Sequence, residues 1–202
     1  MNNRRYFYYF VKRLFDIVLS LIGIILLIPF SLLIKIIYLL TLDFKSIFFI
    51  QERIGKNGKT FKLIKYRTMI LDSDKELDKL LKNKSYKSEW DNKQKIKNDP
   101  RITNIGKKLR KHAIDEIPQV INIFLGSMSF VGPRPLVKGE LEKHNGNKKY
   151  NNIKPGLTGY WIINRRKEET YKDRLDLEYY YIDNQSIKLD LICLIKTITK
   201  IL

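Results

Sequence analysis

The sequence predicts an α+β fold, predominantly helical: an N-terminal re-entrant (broken) membrane helix, then a small cytoplasmic domain with a β-hairpin. Three observations carry it. Eighteen residues from Ile17 to Ile34 hold no charge, and cations flank them on both sides. Asn57-Gly58 lies between two apolar stretches, the strongest short-range hairpin signal. Helical stretches bounded by Gly and Pro stop signals make up much of the rest. The expected organisation is a membrane element over 1–45 and a cytoplasmic domain over 46–202.

At 202 residues the chain suffices for one core plus one membrane element. Its single cysteine, Cys193, excludes an internal disulfide framework and fits a reducing compartment. Within the apolar tail 187–202 that thiol reads as buried and inert. The net charge of +18 points to anionic partners: lipid headgroups, phosphates or nucleic acid. A genome rich in codons for Lys, Asn and Ile produces part of that excess, so basicity alone assigns no partner.

The first element is the apolar run. An 18-residue helix rises about 27 Å, just short of a hydrocarbon core of about 30 Å. No small-residue cleavage site follows, and apolar residues continue through Leu40, so it does not read as a cleavable signal peptide. Pro29 removes an amide donor and is expected to kink or break the helix. Ser20 and Ser31 are candidates to satisfy freed backbone groups. Residues 1–16 carry four Lys/Arg and residues 35–67 carry eight, and both flanks favour the cytoplasmic face. A helix that enters and returns satisfies both flanks, whereas a spanning helix satisfies one. Asp16 is expected to pair with Lys12 or Arg13 at helical spacing. The aromatics Tyr6 to Phe10 suit an interfacial belt.

Next, Ser46–Arg53 and Phe61–Met69 read as two strands joined around Asn57-Gly58. Residues 71–98 read as an exposed, charged helix and a lysine-rich loop ending at Asp99-Pro100. Asn104–Lys111 reads as a short basic helix. Another helix is expected from about Asp115 to Phe124, stopping at Gly126, with Asp115 as N-cap and Pro118 in its first turn. Leu175–Tyr181 is aromatic-rich. Ile187–Leu202 is apolar with Lys188, Lys196 and Lys200, suited to packing on the core or lying along the membrane interface.

Chemistry concentrates at Asp115-Glu116. If Asp115 caps a helix, backbone N–H groups and the macrodipole keep it ionised, as a carboxylate nucleophile must be. A phosphate is favoured at the same end, so two anions there would need a divalent cation and cationic side chains. Glu116 offers the hard oxygen that Mg²⁺ prefers. Arg110, Lys111 and Arg134 are candidate diphosphate ligands. Adjacent helical residues point about 100° apart, which suits two separate roles. Taken alone, Asp-Glu at a helix start is also a common capping pattern. In Gly132-Pro133-Arg134-Pro135 two prolines fix the backbone around one arginine, lowering the entropy cost of presenting it. A rigid turn with a surface arginine is the alternative. His112 and His144 have no partner at ligand spacing.

These motifs together resemble the bacterial sugar transferases, the monotopic phosphoglycosyl transferases that act on polyprenol phosphate. The resemblance runs from Lys12-Arg13-Leu14-Phe15-Asp16 through Gln51-Glu52-Arg53-Ile54-Gly55 and Lys65-Tyr66-Arg67-Thr68-Met69. It continues through Asp99-Pro100-Arg101, Ile114-Asp115-Glu116-Ile117-Pro118-Gln119 and Met128 to Pro135, then Lys154-Pro155-Gly156-Leu157-Thr158-Gly159 and the tail from Tyr179 to Thr197.

The resemblance implies a ping-pong reaction at the cytoplasmic (inner) bacterial membrane. Asp115 would attack the sugar-linked phosphate of a UDP-sugar and release UMP. The phosphosugar-aspartyl enzyme would then pass its cargo to undecaprenyl phosphate, for downstream glycosyltransferases building a surface glycan. Glu116, with Asp115, would hold Mg²⁺. Arg134 with Pro133 and Pro135 would hold the nucleotide, and Arg110, Lys65, Arg67 and Arg166 are carried over as substrate-binding residues. Membrane lipid is an expected partner, nucleic acid is not, and a homodimer stays open. Departures from the family pattern include Ile28 before Pro29, Ser127 after Gly126, and Tyr160–Arg166. The extra N-terminal spans of larger relatives are expected to be absent. The competing reading is a non-catalytic basic module binding anionic lipid or nucleic acid at the membrane surface.

Overall fold

The computed structural model describes residues 3–93, 96–164 and 170–201. It divides into two compact units: the stretches up to Tyr66 and from Glu116 onward, and the segment Arg67–Asp115. Its elements make a mostly helical α+β fold.

In the first unit, α1 (Asn3–Leu40) is one helix that continues through Pro29, so the expected break, and with it a helix broken into two re-entrant arms, does not occur. Proline withdraws one donor from the ladder, and in an apolar run where no water replaces lost bonds, continuing preserves the others. Ser31 hydroxyl does not repair the backbone; it bonds Tyr66 hydroxyl at 2.8 Å. Ser20 does bond back to the Asp16 and Ile17 carbonyls. Nearly all of α1 is long and apolar enough to cross a membrane. Exposed Phe7, Leu14, Leu21, Ile25, Ile28 and Leu32 mark the chain as membrane-associated.

Tertiary bonds line the other face of α1. Lys12 Nζ donates to Asp190 Oδ2 at 2.7 Å, where Tyr8 hydroxyl also donates at 3.0 Å. Arg13 donates to the Ile123 and Phe124 carbonyls, both at 2.7 Å. Asp16 Oδ1 accepts from Ser129 Oγ and from the Phe130 amide, both at 3.0 Å. The expected local pairing of Asp16 with Lys12 or Arg13 is therefore corrected: Asp16 is buried and takes a distant hydroxyl and a distant backbone amide, while Lys12 and Arg13 turn to Asp190 and to the Ile123 and Phe124 carbonyls.

Strands β1 (Phe48–Ile54) and β2 (Thr60–Tyr66) form the expected antiparallel hairpin, with Phe48 opposite Tyr66 and Ile54 opposite Thr60. Asn57 and Gly58 both adopt left-handed backbone, φ 59° and 73°, which is why this pair closes it. A short helix α5 (Gln119–Leu125) packs on β2. The Asn122 carboxamide accepts from the Ile64 amide and donates to the Lys62 carbonyl. Gly126 ends α5 in left-handed conformation, as its position predicts.

The remaining elements are β3 (Ser129–Val131), α6 (Glu140–Lys143), β4 (Gly156–Thr158), α7 (Tyr160–Asn164), α8 (Tyr171–Asp183) and α9 (Ile187–Ile201). β3 and β4 pair in parallel. A Cβ on Gly132 would come within 2.6 Å of the Lys154 carbonyl oxygen, so only glycine allows this approach. The core gathers Val131, Leu136, Leu141, Leu175, Tyr181 and Cys193. Cys193 is buried as expected, and burial pushes its thiol up to about 12. α9 packs one face inward and leaves Leu191, Ile195 and Ile198 exposed.

In the segment Arg67–Asp115, the charged run resolves into two helices, α2 (Ser73–Leu80) and α3 (Lys84–Lys93). Asp99 and Arg101 form a buried two-point pair at 2.9 and 2.6 Å. α4 (Asn104–Lys111) is capped by Thr103 Oγ1, which accepts from the Gly106 amide at 2.9 Å. Gly106 itself rests against the Thr68 carbonyl.

Candidate active site

The acidic pair does not sit at a helix N-cap. Asp115 lies inside a 3₁₀ turn, Ile114–Glu116, and α5 begins only at Gln119 with Pro118 at its cap. The proline disfavours helical backbone at Ile117, so one helix cannot run from Asp115 to Phe124. Ala113, left-handed at φ 53°, makes the turn that precedes the pair. Asp115 therefore has no helix N-terminus beneath it. Asp115 is buried and closes the segment Arg67–Asp115.

Glu116 opens the second stretch of the larger unit. Its carboxylate takes an ion pair from Lys65 Nζ at 2.7 Å and its side chain is 37 % exposed. The Asn122 clip explains the meeting, because it docks the chain just after Glu116 onto the strand carrying Lys65.

The Pro-Arg-Pro segment is held far more tightly. The Arg134 amide donates to Glu178 Oε1 at 3.3 Å, and its carbonyl accepts from Tyr150 hydroxyl at 2.9 Å. Its guanidinium Nη1 donates to Glu140 Oε1 at 3.3 Å. Pro133 is fully buried, and the Pro135 carbonyl accepts from Arg53 Nη1 at 3.2 Å. Arg53 also donates to Gln51 Oε1, which aims it along β1.

α8 supplies the other side of this cluster. The Thr170–Asp173 capping box sets where α8 starts. Tyr171, Arg174 and Glu178 then share one face at helical spacing. Tyr171 hydroxyl donates to Glu140 Oε1 at 3.1 Å while its ring stacks on His144 and under the Arg174 guanidinium.

The electrostatics differ from one carboxylate to the next. Burial pushes the Glu140 carboxyl up, but Arg134, the Val137 amide and Arg174 outweigh it and hold it below its ordinary value. Burial dominates at Glu178, raising it to about 7 despite Arg174. Burial, then the charge of Arg134, lowers Arg53 to about 10, with Glu140 and Glu116 opposing. Glu116 is the smallest of these influences on Arg53, so the acidic turn lies within electrostatic reach of β1 without touching the Arg53–Glu140–Arg134 cluster.

Other sequence-predicted residues fall in the smaller unit, where Arg110 Nε donates to Thr68 Oγ1 at 2.8 Å and Arg67 is buried. Arg166 lies outside the described residues. Arg53, Glu140, Arg174 and Glu178, with Tyr150 and Tyr171, escaped sequence reasoning. The signal for three of them was the spacing Tyr171-Arg174-Glu178.

Among the described residues, no three His, Cys, Asp or Glu side chains cluster as a metal cage. Mg²⁺ needs none, since it binds through one or two carboxylates, water and substrate phosphate. The half-exposed Glu116 carboxylate fits that donor set.

Comparison with known proteins fixes the family. A model of the bacterial sugar transferases matches residues 7–202. An Erwinia amylovora "UDP-galactose-lipid carrier transferase" is 40% identical over 195 residues, covering 96% of this chain and 40% of that protein. An exopolysaccharide production protein, ExoY, of Sinorhizobium fredii is 41% identical, covering 93% of this chain and 83% of the relative. A Salmonella typhimurium "undecaprenyl-phosphate galactose phosphotransferase" is 40% identical over 93% of this chain and 40% of its own length. The chain thus spans about two fifths of the longer relatives. It belongs to the bacterial sugar transferase family.

Proposed function

We propose that the protein transfers a phosphosugar from a UDP-sugar to undecaprenyl phosphate on the cytoplasmic face of the inner membrane. The observation that carries this reading is that one compact unit holds both the Lys65–Glu116 pair and the cluster in which Arg53 and Arg134 meet Glu140. They offer a carboxylate and three cations to a diphosphate, in a family with two relatives named for sugar phosphate transfer and for undecaprenyl phosphate.

In the first half-reaction an Asp115 carboxylate oxygen attacks the sugar-linked phosphorus, and the bond to the bridging oxygen breaks. UMP leaves with the electron pair and the phosphosugar stays on Asp115. A phosphate oxygen of undecaprenyl phosphate then attacks the same phosphorus and frees the carboxylate, giving a lipid diphosphosugar. Arg134 grips the nucleotide diphosphate, and Lys65 and Arg53 offset its charge. Glu116, with Asp115, would hold Mg²⁺ beside the diphosphate, and the ion would neutralise further charge there. One Asp115 carboxylate oxygen can face the cation while the other attacks phosphorus.

Support for a one-sided, monotopic arrangement comes from α1 itself. Its residues 8–16 bond α9, β3 and the end of α5, while Ser31 bonds Tyr66. Bonds to one folded unit from both ends of the apolar run support an element whose two flanks lie on the same side of the bilayer.

The test is UMP release from a panel of UDP-sugars with Mg²⁺ and undecaprenyl phosphate, alongside trapping of labelled phosphosugar on the protein. Wild type releases UMP with one of the sugars and takes up label, and Asp115→Asn does neither. No release by folded wild type would leave only a basic membrane-surface module; label retained on Asp115→Asn would remove Asp115 as nucleophile.

A further inference from the structure

Three guanidiniums converge on one carboxylate that no step above employs. Glu140 Oε1 meets Arg134 Nη1 at 3.3 Å and Arg174 Nη2 at 3.5 Å, and Oε2 meets Arg53 Nη1 at 3.9 Å. The Val137 amide at 3.0 Å and Tyr171 hydroxyl at 3.1 Å complete its shell. The Glu140 side chain is only 8 % exposed, whereas that of Arg134 is 38 % exposed. Of the three arginines, Arg134 is therefore the one that presents itself to solvent; Arg53 and Arg174 stand behind it, at 12 % and 10 %.

The charge of this cluster favours a further anion: three arginines face two carboxylates, Glu140 and Glu178. Among the described residues, Arg53 Nε, Arg174 Nε and Nη2, and Glu178 Oε2 are buried without a hydrogen-bond partner, the two Arg174 nitrogens facing Glu178 and Glu140 as looser ion pairs at 3.8 and 3.5 Å. Glu140 engages one nitrogen of Arg134, which leaves the rest of its donor fork for a planar or tetrahedral oxyanion. Holding that fork in place before binding removes the entropy cost of ordering a long side chain.

We propose that Glu140 is a positioning residue for the nucleotide diphosphate: it fixes the Arg134 guanidinium against the Arg53–Arg174 pair, so that the exposed edge of Arg134 is aimed before substrate arrives. This rests on the reading above for the identity of the ligand. Glu140→Gln keeps the shape and an acceptor for Tyr171 while removing the charge that gathers the arginines.

The experiment uses the full chain in detergent and reads UDP binding by calorimetry beside KM and kcat for UMP release. Glu140→Gln weakens UDP binding about tenfold, equivalent to about 1.4 kcal/mol, and raises donor KM by a similar factor. Loss of a grip common to ground and transition states leaves kcat within about threefold. Glu142→Gln makes the same charge change at an exposed position of the same helix and leaves both constants unchanged. In an Arg134→Ala background, Glu140→Gln has almost no further effect, because its target is gone. Unaltered UDP affinity in Glu140→Gln, additive losses in the double variant, or wild type that binds no UDP would each overturn the proposal. Wild type that binds UDP but releases no UMP sinks the transferase reading alone, and the binding arm still judges Glu140. Should Glu140→Gln not fold, Glu140→Asp withdraws the carboxylate by one methylene and is read the same way.

Discussion

The Pro-Arg-Pro segment and the acidic turn face the same chemistry but are held in opposite ways. Arg134 is fixed at its amide, its carbonyl and its guanidinium by Glu178, Tyr150 and Glu140. Among the described residues Glu116 has one ion pair, to Lys65, on a half-exposed side chain. Binding a nucleotide rewards donors that are already in place. Under the proposed function Glu116 exchanges its lysine for a metal and a diphosphate, and one bond that breaks cheaply serves that exchange. The contrast separates recognition, which is rigid here, from chemistry, which needs exchangeable partners.

Removing each carboxylate breaks or sharpens that contrast. Glu140→Ala strands Arg53 and Arg174 in the interior and should cost about 3 kcal/mol of stability, the usual result of breaking a buried charge network. Glu116→Ala removes a partly exposed pair and should cost less than about 1 kcal/mol, while phosphosugar transfer collapses. Denaturant unfolding of the solubilised protein reads the first and UMP release the second. Equal stability losses would erase the distinction. A smaller effect is expected at Gly132, where a Cβ would press on the Lys154 carbonyl and the Gly156 amide. Gly132→Ala should destabilise by about 2 kcal/mol, as overpacking does, and loosen Arg134 two residues away. A rise in donor KM should accompany the lower midpoint, and an unchanged KM would show that the prolines hold Arg134 without β3–β4 pairing.

What the sequence made legible follows the range of the interactions. The hairpin was readable because Asn57-Gly58 is a local demand for left-handed backbone, and α4 and the stop at Gly126 are likewise set by neighbours in sequence. Asp16 shows the limit: helical spacing pointed to Lys12 and Arg13, but Ser129 and Phe130, over a hundred residues away, supply its donors. β3 and β4 were missed because three-residue strands carry no periodicity and exist only through their pairing. The acidic pair was found by residue type, yet its geometry was misjudged, since Pro118 redirects the chain before α5 begins. Glu140 and Glu178 were invisible because buried charge looks like surface charge until the partner arginines are located.

The weakest expected effect is the dependence of the cradle on pH, and its sign is set by two carboxylates shifted in opposite directions. Glu178 is raised from 4.5 to about 7 by burial, so the folded chain keeps a proton that the unfolded chain has released. Its contribution is complete below about pH 4.5 and is lost as pH rises through about 7. Glu140, held below its ordinary value, contributes above that value and loses its share only as pH falls through its lowered pKa. His144, whose value burial also lowers, works against Glu178 near pH 6, so the wild-type profile alone mixes the two. Comparing wild type with Glu178→Gln cancels His144, because glutamine mimics the protonated acid and still accepts from the Arg134 amide. The unfolding free energy of wild type should fall relative to Glu178→Gln between about pH 5 and pH 8, by no more than about 1.4 kcal/mol per pH unit, with a parallel fall in melting temperature. Parallel profiles would mean that Arg174 keeps Glu178 ionised throughout, and that Arg134 is anchored by two full charges instead of one.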